Sequence, residues 1–185
     1  MNEAYNIDSN DRFLLYLSMS FDAAQKNVFI PLLTGGAIYL FENNQINYRL
    51  IVECLKKEKI TIINSTPSGF IPILQLTEQN MYAALKSLRL LFLGGETLNI
   101  NSYKKWTECP YYQCLIVNVY GPTECTDIVS YYNVTDPSAY EDNIPIGRPI
   151  SNAAFYILDE RKEKVPKGEI GGLYVGGIPV ALGYL

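Results

Sequence analysis

Residues 115–124 read Leu-Ile-Val-Asn-Val-Tyr-Gly-Pro-Thr-Glu, and this stretch decides the fold. It begins with three apolar residues, breaks into Gly121-Pro122, and then presents a hydroxyl and a carboxylate. A β-branched and apolar run is typical of a strand buried in a sheet. Polar groups that follow such a strand lie at the carboxyl edge of the sheet, where open α/β folds bind ligands. The residues alone leave two interpretations open, a ligand site and a structural turn.

Further apolar runs alternate with stretches of helical periodicity, which indicates a mostly parallel sheet flanked by helices. Asn47 is predicted to cap one helix, Pro67 to begin another, and Gly35-Gly36 to end the first. The predicted strands lie at 12–19, 37–41, 59–65, 88–93, 115–117 and 125–134. The predicted helices lie at 23–33, 47–57, from 67 onward, 80–86 and 102–108. We therefore predict the α/β class.

The composition of the sequence changes after Asp136, where prolines and glycines indicate a linker or a long loop. Two further apolar runs, 153–158 and 172–175, predict the start of a small antiparallel β subdomain. We expect residues 1–144 to form an α/β subdomain and residues 145–185 to form part of a β-rich one. Residues 181–185 stop within an apolar pattern, so we expect a piece of a longer protein.

Composition excludes several classes of function. The net charge is −4 and the longest basic cluster is at 56–59, so a nucleic-acid partner is not expected. The chain has no histidine, and its four cysteines form no Cys-x-x-Cys pair, so the usual zinc sites and His-based triads are excluded. No secretion signal and no apolar stretch of membrane-spanning length occurs, which predicts no membrane partner. A reduced, cytoplasmic protein fits these cysteines best.

Residues 118–124 resemble the Tyr-Gly-Pro-Thr-Glu motif of the adenylate-forming superfamily, which includes nonribosomal peptide synthetase adenylation domains, acyl-CoA synthetases and luciferases. The resemblance implies that ATP and Mg²⁺ are cofactors and that Thr123 and Glu124 are catalytic. Thr123 would contact the α-phosphate and Glu124 would hold Mg²⁺, a hard cation that prefers carboxylate oxygens. Tyr120 would stack on adenine, with Asn118 and Gly121 beside the nucleotide.

Gly94-Gly95-Glu96 resembles the Gly-Gly-Glu turn of the same family, whose backbone lies along the adenine. Glycine permits such a close approach, although two glycines after a strand are also an ordinary turn. The resemblance implies that Gly94, Gly95 and Glu96 bind the nucleotide.

Asp22 precedes an apolar helix, so its simplest role is that of an N-cap. Phe21-Asp22-Ala23-Ala24 nevertheless resembles the Phe-Asp-x-Ser motif of amino-acid-activating domains, with Ala24 in place of Ser. In that family the aspartate binds the α-amino group of the substrate. Asp22 therefore favours an amino acid over a fatty or aromatic acid.

The resemblance also implies a substrate pocket, whose residues are carried over position by position. They are Asp22, Ala23, Lys26, Asn64, Leu91, Leu93, Val119, Asp127 and Ile128. Lys26 and Asp127 could instead face solvent; within the pocket they would pair with each other or meet a polar substrate side chain. We expect a polar or charged amino acid, with Leu91 and Leu93 restricting the pocket floor.

The family's phosphate-gripping loop and catalytic lysine would lie outside residues 1–185, so we expect a central fragment that is inactive alone. The intact enzyme would convert an amino acid and ATP to aminoacyl-AMP and pyrophosphate. It would then pass the acyl group to a phosphopantetheine thiol on a carrier-protein domain, next to other synthetase modules. Two alternatives stay open, an acyl-CoA or aryl-acid ligase and a non-catalytic adenylation-like binding or scaffold module.

Overall fold

The structure is a computed structural model that describes residues 3–40 and 46–184. Within these ranges the chain forms nine strands and four α-helices. The strands are β1 (Arg12–Leu15), β2 (Ala37–Leu40), β3 (Ile62–Ser65), β4 (Leu90–Gly94), β5 (Leu115–Tyr120), β6 (Ser130–Val134), β7 (Arg148–Pro149), β8 (Ala153–Leu158) and β9 (Gly172–Gly177). The helices are α1 (Ala23–Thr34), α2 (Tyr48–Glu58), α3 (Pro67–Thr77) and α4 (Lys104–Thr107).

Seven strands form one sheet in the order β2-β1-β3-β4-β5-β6-β7. Strands β1 to β5 run parallel, and a helix connects each of them to the next strand of the chain. Strand β6 pairs antiparallel with β5 to form a hairpin, and β7 pairs antiparallel with β6. Strands β8 and β9 pair separately as a small antiparallel sheet. The predicted α/β fold with a small antiparallel sheet is confirmed.

Helices α1 and α2 lie within one residue of their predicted bounds, and α3 begins at Pro67 as predicted. The predicted helix 80–86 contains only short 3₁₀ turns, and in the predicted helix 102–108 only Lys104–Thr107 is α-helical. The side-chain oxygens of Asn47 and Thr66 accept backbone N–H groups at the starts of α2 and α3, and Pro67 occupies the first turn of α3. Gly35 ends α1 with φ at 76°, a left-handed conformation that glycine adopts without strain. These local signals place each helix between two strands.

The sheet is buried on both faces, and side chains alternate between them. On β4, Leu91 and Leu93 belong to the larger core cluster, beneath α2 and α3. Leu90 and Phe92 belong to a second cluster on the opposite face, together with Val119 of β5. The phase of this alternation decides which residues can reach the ligand-binding edge.

Some predicted elements are shorter than expected. The predicted strand 12–19 ends at Leu15, and the strand predicted at 125–134 begins only at Ser130. The second difference has a clear cause, because Thr126 and Asp127 adopt left-handed conformations that no strand accommodates. Residue 41 of the second predicted strand lies outside the described residues. The subdomain boundary at residue 145 stays a prediction, and β7 beyond it pairs with β6.

An ion pair between Asp11 and Arg89 anchors the start of the sheet. Arg89 Nε donates to Asp11 Oδ1 over 2.8 Å, and the Thr61 hydroxyl donates to the same oxygen over 2.7 Å. Burial alone would raise the pKa of Asp11, but the hydrogen bonds from Arg89 and Thr61 hold this pKa below its ordinary value. The folded state therefore favours the ionised carboxylate.

This lowered pKa predicts a loss of stability in acid. The contribution of Asp11 is complete above the carboxyl pKa of the unfolded chain, about 4, and is lost as the pH falls through the lowered folded value. We expect Asp11→Asn to cost about 2 kcal/mol of unfolding free energy at neutral pH. Urea unfolding of both forms should show a smaller penalty in acid, and a penalty that does not change with pH would contradict the assignment.

Candidate functional site

A cavity of about 360 Å³ opens at the carboxyl edge of the sheet, between the ends of β3, β4 and β5 and the start of α1. Most of the predicted site residues line it. They are Asp22, Ala23, Lys26, Asn64, Gly94, Gly95, Val119, Gly121, Thr123, Asp127 and Ile128. Residues from four separate segments of the chain thus meet at the edge where the sequence predicted a ligand.

The prediction for Leu91 and Leu93 is wrong. Both side chains are fully buried in the core on the far side of the sheet, and neither lines the cavity. Phe92 and Gly94 line it instead, because alternation along β4 brings them to the same face. A one-residue error in phase moves every side chain of a strand to the wrong face.

Other lining residues were absent from the prediction. They are Leu17, Phe21, Ser65, Thr66, Phe92 and Pro122. Thr66 could have been found, because it follows β3 and caps α3 and so lies at the carboxyl edge. Phe92 could have been found from its two-residue spacing to Gly94.

Asn118, Tyr120 and Glu96 lie outside the cavity wall. The buried Asn118 amide donates from Nδ2 to the carbonyls of Ile144 and Pro145, so it ties β5 to the following loop. Tyr120 is partly exposed at the end of β5. Nucleotide-binding roles for these three residues stay predictions.

The Glu96 carboxylate caps helix α3. It accepts the backbone N–H of Ser68 over 2.9 Å and the Ser68 hydroxyl over 2.6 Å. A carboxylate at this position also complements the positive end of the helix dipole. The side chain therefore holds the Gly94-Gly95 turn against the start of α3.

Asp22 is placed for both roles that the sequence left open, the helix cap and the binding of a ligand. Its Oδ1 accepts the backbone N–H of Ala23 over 2.7 Å at the start of α1, and the residue also lines the cavity. A helix cap occupies one carboxylate oxygen, and the charge remains beside the cavity. Asp22 can therefore cap the helix and hold a cationic group of a ligand.

Lys26 and Asp127 form an ion pair in the cavity wall. The Lys26 Nζ atom lies 3.0 Å from Oδ1 and 2.8 Å from Oδ2 of Asp127. Their side chains are only 11% and 22% exposed. The alternative in which Lys26 points to solvent is therefore wrong, and the two residues pair with each other.

Glu124 lies next to Thr123 in a 3₁₀ turn after β5, outside the cavity wall, and its magnesium-binding role stays a prediction. The Tyr184 hydroxyl donates to its Oε1 over 3.2 Å, and the Glu124 carboxylate raises the pKa of that phenol. Two further hydrogen bonds join the same segments, one from the Ala181 N–H to the Glu124 carbonyl and one from the Thr126 hydroxyl to the Pro179 carbonyl. The segment 179–184 thus lies against the turn that carries Glu124.

A model of the family described as AMP-binding enzyme matches residues 1–185. The chain belongs to the AMP-binding enzyme family. The predicted resemblance to adenylation domains is confirmed by its relatives. Bacitracin synthase 3 of Bacillus licheniformis is 35% identical over 94% of this chain and 3% of its own length. A dimodular nonribosomal peptide synthase of Bacillus subtilis strain 168 is 34% identical over 98% of this chain and 8% of its own length.

A solved structure of the AMP-binding fold carries a ligand. The Vibrio cholerae adenylation domain AlmE, in complex with glycyl-adenosine-5'-phosphate, is 27% identical with a TM-score of 0.83. The match covers 100% of this chain and 35% of that one. This chain therefore spans a small part of the length of the proteins that it matches.

Across 3–40 and 46–184 no cluster of three or more His, Cys, Asp or Glu side chains could hold a metal ion. In the same ranges no helix is long and apolar enough to cross a bilayer.

Proposed function

We propose that the chain is the central part of an adenylation domain that converts an amino acid and ATP to aminoacyl-AMP and pyrophosphate. The observation that carries this proposal is that Asp22 and Thr123, far apart in sequence, line one cavity. An aminoacyl-adenylate has an ammonium group at one end and a phosphate near its centre. A carboxylate and a hydroxyl on one cavity suit these two groups.

Each residue has a distinct task in this proposal. The Asp22 carboxylate binds the α-ammonium group and so directs the substrate carboxylate toward the α-phosphate of ATP. The Thr123 hydroxyl donates to a phosphate oxygen, where charge increases as the bond to pyrophosphate breaks. The glycines 94 and 95 allow the backbone to approach a flat ring closely.

Glu124 would be one ligand of a magnesium ion, and phosphate oxygens and water would complete its coordination. Its carboxylate forms no ion pair with a lysine or arginine in the described part of the chain. A single carboxylate suits Mg²⁺, which usually keeps water and phosphate ligands. When bound, this ion would offset negative charge on the phosphates during attack.

The aminoacyl group would then pass to the phosphopantetheine thiol of a carrier domain. Support comes from a relative whose name describes it as a dimodular nonribosomal peptide synthase. Other synthetase modules are the further partners in this proposal. The division near residue 145 and the cytoplasmic location stay predictions.

The decisive experiment measures exchange of labelled pyrophosphate into ATP by the complete synthetase that contains this chain. We expect exchange that depends on an amino acid and is at least about 10-fold above background, because only a competent site forms the adenylate reversibly. Acetate, benzoate and long-chain fatty acids serve as matched controls without an ammonium group. Exchange with these acids alone would favour an acyl or aryl-acid ligase. No exchange with any acid would favour a non-catalytic module.

A further inference from the structure

The ion pair of Lys26 and Asp127 decides the charge of the side-chain pocket. Both carboxylate oxygens of Asp127 lie within 3.0 Å of the same ammonium nitrogen. The two opposite charges sum to zero. Because the pair is largely buried, water screens their mutual attraction little. This part of the cavity therefore presents hydrogen-bonding groups without a net charge.

Asn64, which lines the same cavity, has an unsatisfied acceptor. The residue is 3% exposed, and its Nδ2 donates to Oδ1 of Asn27. Its own Oδ1 is buried and has no hydrogen-bond partner among the described residues. Buried amide oxygens in folded proteins almost always accept a hydrogen bond. A hydrogen-bond donor on the ligand would give the Asn64 oxygen the partner that the protein does not provide.

Charged substrate side chains suit this pocket poorly. A carboxylate would bring a second negative charge beside Asp127, and an ammonium would bring a second positive charge beside Lys26. Either ligand must compete with an ion pair that is already formed and partly desolvated. The cost of that competition is a loss of binding relative to an uncharged ligand.

Purely apolar side chains suit the pocket poorly for a different reason. They would bury Asn64 and the ion pair against carbon and leave the amide oxygen without a donor. A primary amide meets both requirements, because its carbonyl accepts from the Lys26 ammonium and its NH₂ group donates to Asn64 or Asp127. A hydroxyl also accepts and donates, but its single donor can serve Asn64 or Asp127 and not both.

We propose that the Lys26–Asp127 ion pair makes the side-chain pocket neutral and that the substrate is an amino acid with an uncharged hydrogen-bonding side chain, a carboxamide best of all. This inference rests on the proposed function, since it concerns the amino acid that is activated. It goes beyond that function because it excludes acidic, basic and apolar substrates.

The first test is amino-acid-dependent pyrophosphate exchange by the complete synthetase with a panel of substrates. We expect asparagine or glutamine to exceed aspartate, glutamate, lysine and leucine by at least about 10-fold, with serine and threonine between them. A preference for leucine, phenylalanine, glutamate or lysine would overturn this inference and leave the proposed function standing. Absence of exchange with every amino acid would overturn both.

The second test removes the charge of one partner of the ion pair at a time. Asp127→Asn leaves an uncompensated Lys26, so the ratio of glutamate to glutamine exchange should rise about 10-fold or more. Lys26→Met leaves an uncompensated Asp127, so the ratio of lysine to glutamine exchange should rise similarly. Lys105→Met breaks the surface pair with Glu78 and is the matched control, because it should change neither ratio.

A double variant keeps the inference falsifiable where a lone buried charge prevents folding. Lys26→Met combined with Asp127→Leu removes both charges at once and should raise the ratio of leucine to glutamine exchange about 10-fold. Circular dichroism melting and ATP-analogue binding show whether each variant is folded. Folded variants whose substrate ratios all match the unmodified enzyme would refute the role of the pair.

Discussion

Replacing Asp22 by Asn in the complete synthetase is expected to lower amino-acid-dependent pyrophosphate exchange about 1,000-fold. The change removes the negative charge that pairs with the substrate ammonium and leaves an amide in its place. Asn is as good an N-cap as Asp, so helix α1 keeps its first hydrogen bond. Affinity for an ATP analogue, measured by calorimetry, is expected to stay unchanged.

Asp22→Ala separates the two roles of this residue. It removes the charge and the cap together, so exchange should fall as in Asp22→Asn while the unfolding free energy falls by about 1 kcal/mol more. Equal loss of ATP-analogue binding and of exchange in Asp22→Asn would argue against the assigned role. Unchanged exchange in that variant would argue against an amino-acid substrate.

Gly121→Ala should strongly destabilise the fold. A β-carbon at Gly121 would lie 1.9 Å from the carbonyl oxygen of Asp127, and backbone cannot yield as a flexible side chain can. We expect a loss of about 3 kcal/mol of unfolding free energy, since overpacking at a tight contact forces the backbone to move. Chemical denaturation of both forms measures this loss.

Gly172→Ala provides the control for that experiment. Its β-carbon would approach the ring edge of Tyr174 at 3.3 Å, and that side chain can shift, while the nearest backbone atom, the Leu158 carbonyl oxygen, would lie at an ordinary 3.7 Å. We expect a change of less than about 1 kcal/mol there. If the two variants lose equal stability, close approach at Gly121 does not explain the requirement for glycine.

Much of the fold could be predicted because its signals are local. Apolar runs mark buried strands whether or not their neighbours are known, and a cap such as Thr66 before Pro67 acts within four residues. The edge of the sheet that holds the cavity follows from strand direction alone. For that reason Asp22, Asn64 and Thr123 could be expected to meet.

The errors concern features that depend on distant parts of the chain. Leu91 and Phe92 are both apolar, so composition does not decide which of them faces the cavity, and only the packing of the sheet does. The hydrogen-bond partners of Asn118 come from the loop at 144–145. The hydroxyl that donates to the Glu124 carboxylate belongs to Tyr184, 60 positions further along the chain. No local sequence pattern around residues 118–124 predicts these contacts.

The hairpin of β5 and β6 has a consequence for recombination between synthetases. Its connecting loop carries Thr123, Glu124 and Asp127, whereas Lys26 lies on α1. A gene segment encoding only residues 115–134 would transfer Thr123 and Glu124 together but separate Asp127 from its lysine. Chimeras that exchange residues 11–134 as one block would inherit both partners of this pair and of the Asp11–Arg89 pair, whereas a block that begins at residue 22 would separate Asp11 from Arg89.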